Sequence, residues 1–418
     1  MKIGLLTTLY ELNSSYSLSS VIESQMITLK KYGYEVVLFV HDNFKDDAKV
    51  PEGVEIRKVV PRFLLIDYSD FQPASNELEE QAKKVYSVLK ENMKDIDVVF
   101  EHDMIFQGWF MPYCMAIHQL AMESDIKWFH WTHSVPKPPP SDITYPHTLR
   151  FKLPANSRLV YLNNASLVRA AEAYGLYPKD VRVVYNPVDP RLLWNLHPLV
   201  QSLLQKYPIL EADLVQVYPL STTRMVDGKQ IKTVIEIFAH LKQLGKKVCL
   251  IVPNAHANDK REKQTIAQMR SYAFGLGLQE GELVFTSLED PVFEHGVSRD
   301  VVSQLFQFSN IFIFPSVSEN CPLILLEAML AKCILVLNDD VHSMREFGKE
   351  NALYFKFSGI DGTTTHTNPS LFNKDVAKII IAEYESNRAL KANTTLRQQF
   401  NLDEVYKKQI LPLIHEQI

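Results

Sequence analysis

The sequence predicts an α/β protein built from two doubly wound domains that face one another across a cleft. Three observations carry that expectation. A length of 418 residues exceeds what one hydrophobic core ordinarily supports. Apolar strands alternate with helices in two successive series, the pattern of parallel sheets covered on both faces. Between the series, from Asn186 to Tyr207, the pattern breaks, and Pro187, Pro190 and Pro198 fall among scattered apolar residues. Sheets of this kind bind ligands beyond the carboxyl ends of their strands, so the site is expected where the two sheets face each other.

In chain order, the first series starts with a strand over 2–7 and an amphipathic helix over 19–32, where Val21, Ile22, Met26 and Leu29 recur at helical spacing. Gly33 ends that helix, and strands over 35–40 and 54–60 follow. Next come a charged helix over 76–93, a strand over 97–101, an apolar helix over 108–124 and strands over 127–131 and 158–162. A helix over 166–174 and a strand over 181–185 close the series. The second series places strands at 214–219, 247–252, 281–286, 311–314 and 334–337. Helices over 232–244, 259–275, 301–308 and 323–332 lie between them, followed by helices over 344–348 and 375–386. The expected domains are residues 1–195 and 196–401. A last helix, from about Leu402 to His415 within the 402–418 tail, is expected to pack back on the first domain.

Composition narrows the class. The formal net charge of −5 offers no general attraction for a polyanion. Cys114, Cys249, Cys321 and Cys333 are far apart in apolar surroundings with no CxxC, which suits core filling in a reducing compartment. Residues 1–8 enter a strand directly, with too short an apolar stretch for a signal peptide, and no apolar run reaches membrane-spanning length. The expected location is cytoplasmic, with peripheral membrane contact left open.

The most informative stretch is IFIFPSVSENCPLILLE, Ile311 to Glu327. It reads as strand, polar turn and helix, with Pro322 opening the helix, a geometry in which backbone N–H groups face an anion. Glu319 lies in the turn. Glu327 lies in a helix otherwise built of Leu323, Ile324, Leu325, Leu326, Ala328, Met329 and Leu330. A helix this apolar is expected to be buried between layers, and a buried carboxylate needs a partner. Arg224 and Lys229 follow the first strand of the second series in STTRMVDGKQIKTVIEIF. VRVVYNPVD (181–189) precedes the break, and WFHWTHSVP (128–136) is a strand running to a histidine.

With these four features in this order, spanning nearly the whole chain, the protein resembles the retaining, GT-B-fold glycosyltransferases that use nucleotide-activated sugars, the glycosyl transferases group 1 with their Glu-x7-Glu motif. The resemblance implies that Arg224 and Lys229 hold the donor diphosphate, whose charge grows as the glycosidic bond breaks. It implies that Asn320, Cys321, Pro322 and Leu323 line the sugar and phosphates, that Glu319 reads sugar hydroxyls, and that Glu327 binds the ribose. His133 then contacts the donor sugar near the reacting carbon, and His130, on the opposite face from Trp131, is structural. The implied reaction moves a hexose-type sugar from a nucleotide diphosphate sugar, with UDP expected, to an acceptor hydroxyl. It is drawn as a same-face process with the diphosphate as leaving group, without a metal ion or other cofactor.

Three departures from the family pattern stand out. The loop TTLYELNSSYSLSS lacks the usual glycines, and Ser14, Ser15 or Ser17 is offered as a substitute. NAHAN and Lys332–Cys333 also stand where glycine is common. The strings Asp95-Ile-Asp97 and Asp339–Asp340 invite a metal-binding reading, but no metal site is expected.

The acceptor side is less defined. Glu101, His102 and Asp103 end a strand and are expected to face the cleft as acceptor binders. The proline-rich PKPPPSDITYP (136–146) is well placed to shape a pocket. From Arg150 to Arg191 seven cations (Arg150, Lys152, Arg158, Arg169, Lys179, Arg182 and Arg191) outnumber three acids, an excess suited to an anionic surface or to an ordinary solvated face. A glycan or glycolipid is the expected acceptor, and a hydroxymethylated DNA base the alternative. A sugar phosphorylase, a nucleotide-sugar epimerase or a non-catalytic sugar-nucleotide-binding protein are the competing readings. The intact Arg224, Lys229, Glu319 and Glu327 set argues against the last.

Overall fold

A computed structural model of the chain describes residues 1–13, 15–45, 50–63, 71, 74–133, 140–358 and 366–418. It divides into two compact units, Met1–Val188 with Phe400–Ile418, and Asp189–Gln399. The division after Val188 falls earlier than the expected boundary at 195.

The first unit holds seven strands: β1 (Lys2–Leu6), β2 (Glu35–His41), β3 (Glu55–Val60), β4 (Val98–His102), β5 (Lys127–Trp131), β6 (Ser157–Tyr161) and β7 (Val181–Val183). All pairs are parallel, in the order β3-β2-β1-β4-β5-β6-β7. The order reverses between β1 and β4, where such sheets leave a crevice. Both faces are buried, as a parallel sheet requires. Ile22, Met26 and Leu29 of the helix Ser17–Lys31 pack with Ile3, Leu5, Phe100 and Trp131. The opposite face receives Val85 and Leu89 of the helix Asn76–Asn92 and Ile117 and Leu120 of the helix Met111–Glu123.

The tail packs on this unit. Val405, Tyr406, Ile410, Leu413 and Ile414 join the first of these two clusters. Tyr406 stacks on Tyr32 at 3.7 Å, and Tyr32 Oη donates to Asp403 at 2.8 Å. The tail is not one continuous α-helix. Tyr406–Ile410 widens into a π turn between α-helical Leu402–Val405 and Leu411–Ile414. Pro412 accounts for this, since its ring crowds the carbonyl of the preceding turn and it has no N–H to donate.

The second unit holds β8 (Leu214–Val217), β9 (Leu220–Ser221), β10 (Val248–Val252), β11 (Asn254–Ala255), β12 (Leu283–Phe285), β13 (Ile311–Phe314), β14 (Ile334–Asn338) and β15 (Ala352–Phe355). Its ladders are β12-β10-β8, β13-β14-β15 and the short β11-β9, all parallel. Side chains close the gap between β8 and β13. Buried Gln216 donates from Nε2 to Ile313 O and accepts from Ile313 N, both at 2.9 Å. Asn310 Oδ1 accepts from Val215 N at 2.9 Å. Read across this seam the order is β12-β10-β8-β13-β14-β15, again reversing at the first strand. Strand β15 was not expected from the sequence.

The stretch expected as linker is partly helical. Asp189 caps Pro190–Leu193 by accepting from Arg191 N at 2.8 Å, and Leu199, Val200, Leu203 and Leu204 of Pro198–Lys206 enter the second core. Pro190 and Pro198 sit in the first turn, where proline starts a helix instead of breaking it. A helix over Arg388–Gln399, also unexpected, buries Arg397, whose Nη1 donates to Ile209 O at 2.7 Å.

Candidate functional site

At the reversal point of the second sheet, the chain leaves β8 and β13 through two loops, and these hold each other. Val317 N donates to Gly228 O at 3.2 Å, and Tyr218 Oη donates to Lys229 O at 2.6 Å. Ser316 Oγ lies 2.6 Å from Glu319 Oε1 and 3.1 Å from Gly228 O. Ser343 Oγ fixes the Glu319 backbone carbonyl at 2.6 Å. These contacts bring Lys229 and Glu319 into an ion pair, their side chains 14% and 13% exposed. The Phe314 ring lies 5.0 Å beneath the Lys229 ammonium. A cation and a carboxylate are thus held at one loop junction, the cation beside the start of the helix Ile231–Gln243.

Arg224 is exposed at the end of the short turn Thr222–Arg224. Its carbonyl accepts from both Gly228 N (3.2 Å) and Lys229 N (3.0 Å). Gly228 is needed here for close approach, not for a left-handed backbone: a Cβ would stand 3.3 Å from Arg224 O.

The helix after β13 spans Leu323–Leu330, with Pro322 at its N-cap and no side chain closing its first turn. Asn320, Cys321 and Leu323 are exposed and Pro322 is buried. The expectation that this helix is buried between layers is corrected. Leu325 and Ala328 face the core, whereas Leu323, Leu326 and Leu330 form an outward stripe, with Leu330 84% exposed. A helix only eight residues long presents one stripe to the sheet, and its remaining leucines face away. Glu327 therefore sits at the helix flank and pairs with Arg299 Nη2 at 3.1 Å. The cysteine expectation is corrected likewise: Cys114, Cys249 and Cys333 are buried, but Cys321 is exposed in the loop.

The glycine departures have a structural counterpart. His256 and Lys332 both adopt left-handed backbone, at φ +58° and +61°. This is the region that glycine enters without a Cβ penalty. Lys332→Gly is therefore expected to be neutral to stabilising, by up to ~1 kcal/mol. Urea denaturation checks it, and a loss above ~1 kcal/mol would contradict it.

In the first unit, the ends of β4 and β5 carry the other candidates, and the expectation for Glu101 is corrected. Its carboxyl is wholly buried and not open to an acceptor. In register with His130 across β4 and β5, it meets His130 Nδ1 at 2.7 Å and accepts from Met104 N. Burial drives the Glu101 pKa well up and lowers that of His130 to about 3. These directions describe a neutral pair in which protonated Glu101 donates to Nδ1. His130 Nε2–H then donates to Ser157 Oγ at 3.1 Å, and Ser157 donates to Ala155 O at 2.9 Å, so every proton has an acceptor.

His102 is also buried, between Gln25 Oε1 and His133 Nε2, each at 3.0 Å. Because Gln25 Oε1 only accepts, His102 donates from Nε2. Its Nδ1 then accepts from His133 Nε2–H, which leaves His133 Nδ1 as an acceptor. Burial lowers the pKa of both rings, and Asp103 partly offsets this for His133. Asp103, at φ +63°, accepts from His133 N at 2.9 Å and so fixes that ring's backbone. The expectation that all three residues face an acceptor thus gives way to a hydrogen-bonded support beneath His133. Nothing local in the sequence marks Gln25 as its anchor.

Ser14 and residues 136–139 of the proline-rich segment lie outside the described residues. Ser15 donates to Asn13 Oδ1 at 2.7 Å, and Ser17 begins the first helix. The basic excess is largely absorbed: Arg158 and Arg182 pair with Glu416, Arg191 pairs with Asp189, and Arg150 is buried, donating to Phe106 O. Asp95 is engaged by Arg57 and Lys2, and Asp97 accepts from Lys2 N at 2.7 Å. Among the described residues, no group of three or more His, Cys, Asp or Glu side chains is arranged to hold a metal ion, and no helix is long and apolar enough to cross a membrane.

Two family models match the chain: Glycosyltransferase Family 4 over residues 19–192, and Glycosyl transferases group 1 over residues 287–397. No curated protein sequence matches. Among solved structures, a glycosyltransferase from Rickettsia africae is 13% identical at a TM-score of 0.35, over 99% of this chain and 97% of that one. Anabaena HepE, in complex with UDP, is 17% identical at a TM-score of 0.33, over 99% of each chain. WaaG, a glycosyltransferase involved in lipopolysaccharide biosynthesis, is 13% identical at a TM-score of 0.31, over 100% of each chain. The two family matches together cover well over half of the residues, and the chain belongs to the GT-B glycosyltransferase group 1 family.

Proposed function

We propose that the protein is a retaining hexosyltransferase that draws on a nucleotide diphosphate sugar, with UDP the first nucleotide to test. The observation that carries this reading is the Lys229–Glu319 pair, fixed by two interlocked loops at the reversal point of the second sheet. In this reading Lys229 and exposed Arg224 meet the diphosphate charge in the role that a divalent ion would otherwise fill, without a metal. Glu319, released from Lys229 by the incoming phosphates, accepts from sugar hydroxyls. The open helix start over Asn320–Leu323 faces the phosphates, and Glu327 exchanges Arg299 for the ribose. His133 offers Nδ1 to a sugar hydroxyl. As the glycosidic C–O bond breaks, the departing diphosphate oxygen takes the acceptor hydroxyl's proton, and the new bond forms on the same face. The acceptor is a glycan or glycolipid, and the enzyme works in the cytoplasm.

A thermal-shift panel of UDP-, ADP- and GDP-hexoses tests the donor half. A donor at one hundred times its Kd contributes ~2.7 kcal/mol to the native state and raises Tm. If no nucleotide sugar raises Tm, the donor assignment fails. The anomeric configuration of the transferred sugar, read by NMR of the product, tests retention, and an inverted product would exclude the same-face reaction.

A further inference from the structure

The first helix of the first unit, Ser17–Lys31, lays an apolar row on the sheet, and one member of that row is polar. Gln25 falls between Ile22 and Leu29 at helical spacing and is 5% exposed. A buried amide costs free energy unless a hydrogen bond replaces its water. Here the bond goes to another element: Gln25 Oε1 lies 3.0 Å from Nε2 of His102, the last residue of β4. The opposite nitrogen of that ring, Nδ1, lies 3.0 Å from Nε2 of His133, which follows β5. Residues far apart in sequence thus form one hydrogen-bonded line that ends at His133.

The line has a direction. An amide oxygen only accepts, so His102 carries its proton on Nε2. Burial holds both rings below the usual histidine pKa, so each is neutral at about pH 7.5 and has a single N–H. His102 Nδ1 is therefore bare and takes the Nε2–H of His133, and His133 Nδ1 is bare in turn. Packing keeps the His102 ring in this orientation: it is buried and lies parallel to Trp131, with centroids 5.5 Å and planes 26° apart. His133 is held from a second side by Asp103, which accepts from its backbone N at 2.9 Å. Reversing the Gln25 amide would move each of these protons to the other nitrogen of its ring. One side chain on the helix thereby sets the hydrogen-bonding character of an atom beyond β5.

We propose that Gln25 is a positioning residue that determines donor-sugar specificity. Through His102 it keeps His133 Nδ1 free of a proton, so the sugar position that meets this ring must present a hydrogen-bond donor. A hydroxyl or an amide N–H fulfils that demand. A carboxylate, a carbonyl or an ether oxygen does not, because two bare acceptors then face each other. A site built to receive a substrate O–H or N–H discriminates strongly against an analogue without one. The consequence for specificity rests on the transferase reading above, whereas the tautomers do not.

Two measurements on the full chain test this. The first is a long-range proton–nitrogen correlation spectrum of the ligand-free protein, isotopically labelled at histidine, with the His133 signals identified by their loss in His133→Gln. His133 is expected to be protonated at Nε2 and bare at Nδ1. In Gln25→Leu, which removes the acceptor and keeps the row apolar, the His102 tautomer is no longer fixed, and the Nδ1–H form of His133 should appear. The second is titration calorimetry with UDP-glucose and its monodeoxyfluoro analogues, in which fluorine replaces one hydroxyl at similar size and cannot donate. Losing the hydroxyl at His133 should weaken wild-type binding about tenfold or more. Glu319 should make other positions costly as well, but only the position at His133 should lose its penalty in Gln25→Leu. A wild-type His133 protonated at Nδ1, tautomers unchanged in Gln25→Leu, or fluoro penalties unaltered by that variant overturns the proposal. The wild-type spectrum decides the direction of the line even if Gln25→Leu fails to fold. If the tautomers hold and UDP-glucose does not bind, the line stands, while the UDP-hexose reading and the specificity that rests on it fall.

Discussion

Lys229→Ala is expected to lower kcat/KM for sugar transfer by about three orders of magnitude, the scale of removing one preorganised charge partner from a developing anion. Stability should change little, because the partner Glu319 keeps Ser316 Oγ at 2.6 Å and the two loops stay joined through Val317 N and Gly228 O. Glu319→Ala is expected to fall as far. A coupled assay of nucleotide release with acceptor present, read beside circular-dichroism melting curves, separates lost chemistry from lost folding. Near wild-type turnover in both folded variants would refute the donor site.

The second large effect concerns stability. Glu101→Ala strands His130 Nδ1 and Met104 N in a wholly buried position, at an expected cost of ~3 kcal/mol or more. Glu101→Gln separates two descriptions of the pair. An amide accepts from Met104 N and donates to His130 Nδ1, so a neutral pair predicts a cost of ~1 kcal/mol or less. If Gln costs as much as Ala, the pair is ionised instead.

The pH dependence follows with opposite signs for the two partners. Glu101 is raised, so its contribution is complete below its unfolded pKa of about 4.5 and is lost as pH climbs through the higher folded value. His130 is lowered, so its contribution is complete above about 6.5 and is lost as pH falls toward about 3. Urea midpoints should therefore decline on both sides of the 4.5–6.5 window. In Glu101→Gln the alkaline decline due to Glu101 should vanish while the acid decline due to His130 remains.

These two sites differ in how far the sequence reveals them. Lys229 and Glu319 each sit in a short strand-loop-helix segment, and the alternation of apolar and polar residues places both loops at strand ends. The ladder between Glu101 and His130 depends on which strands are neighbours and in what register, and periodicity along one strand carries neither fact. The same limit hides Gln25 and Gln216, polar residues whose partners lie on other elements. Local composition also misleads where burial decides. An eight-residue helix of leucines looks like core, yet it turns Leu323, Leu326 and Leu330 outward. Prolines that read as a linker instead start two helices.

The return of the chain to the first unit has a practical consequence. Val188 N donates to Phe400 O at 2.8 Å, so the points where the polypeptide leaves and re-enters that unit are adjacent. Topologically, residues 189–399 are an insertion into a domain whose ends already meet. Excising them and splicing residue 188 to 400 through a few glycines should yield a free-standing protein with the seven-stranded sheet and its tail intact. Truncation at residue 188 should not, because it removes Tyr406 and the other tail side chains that cover one face of that sheet.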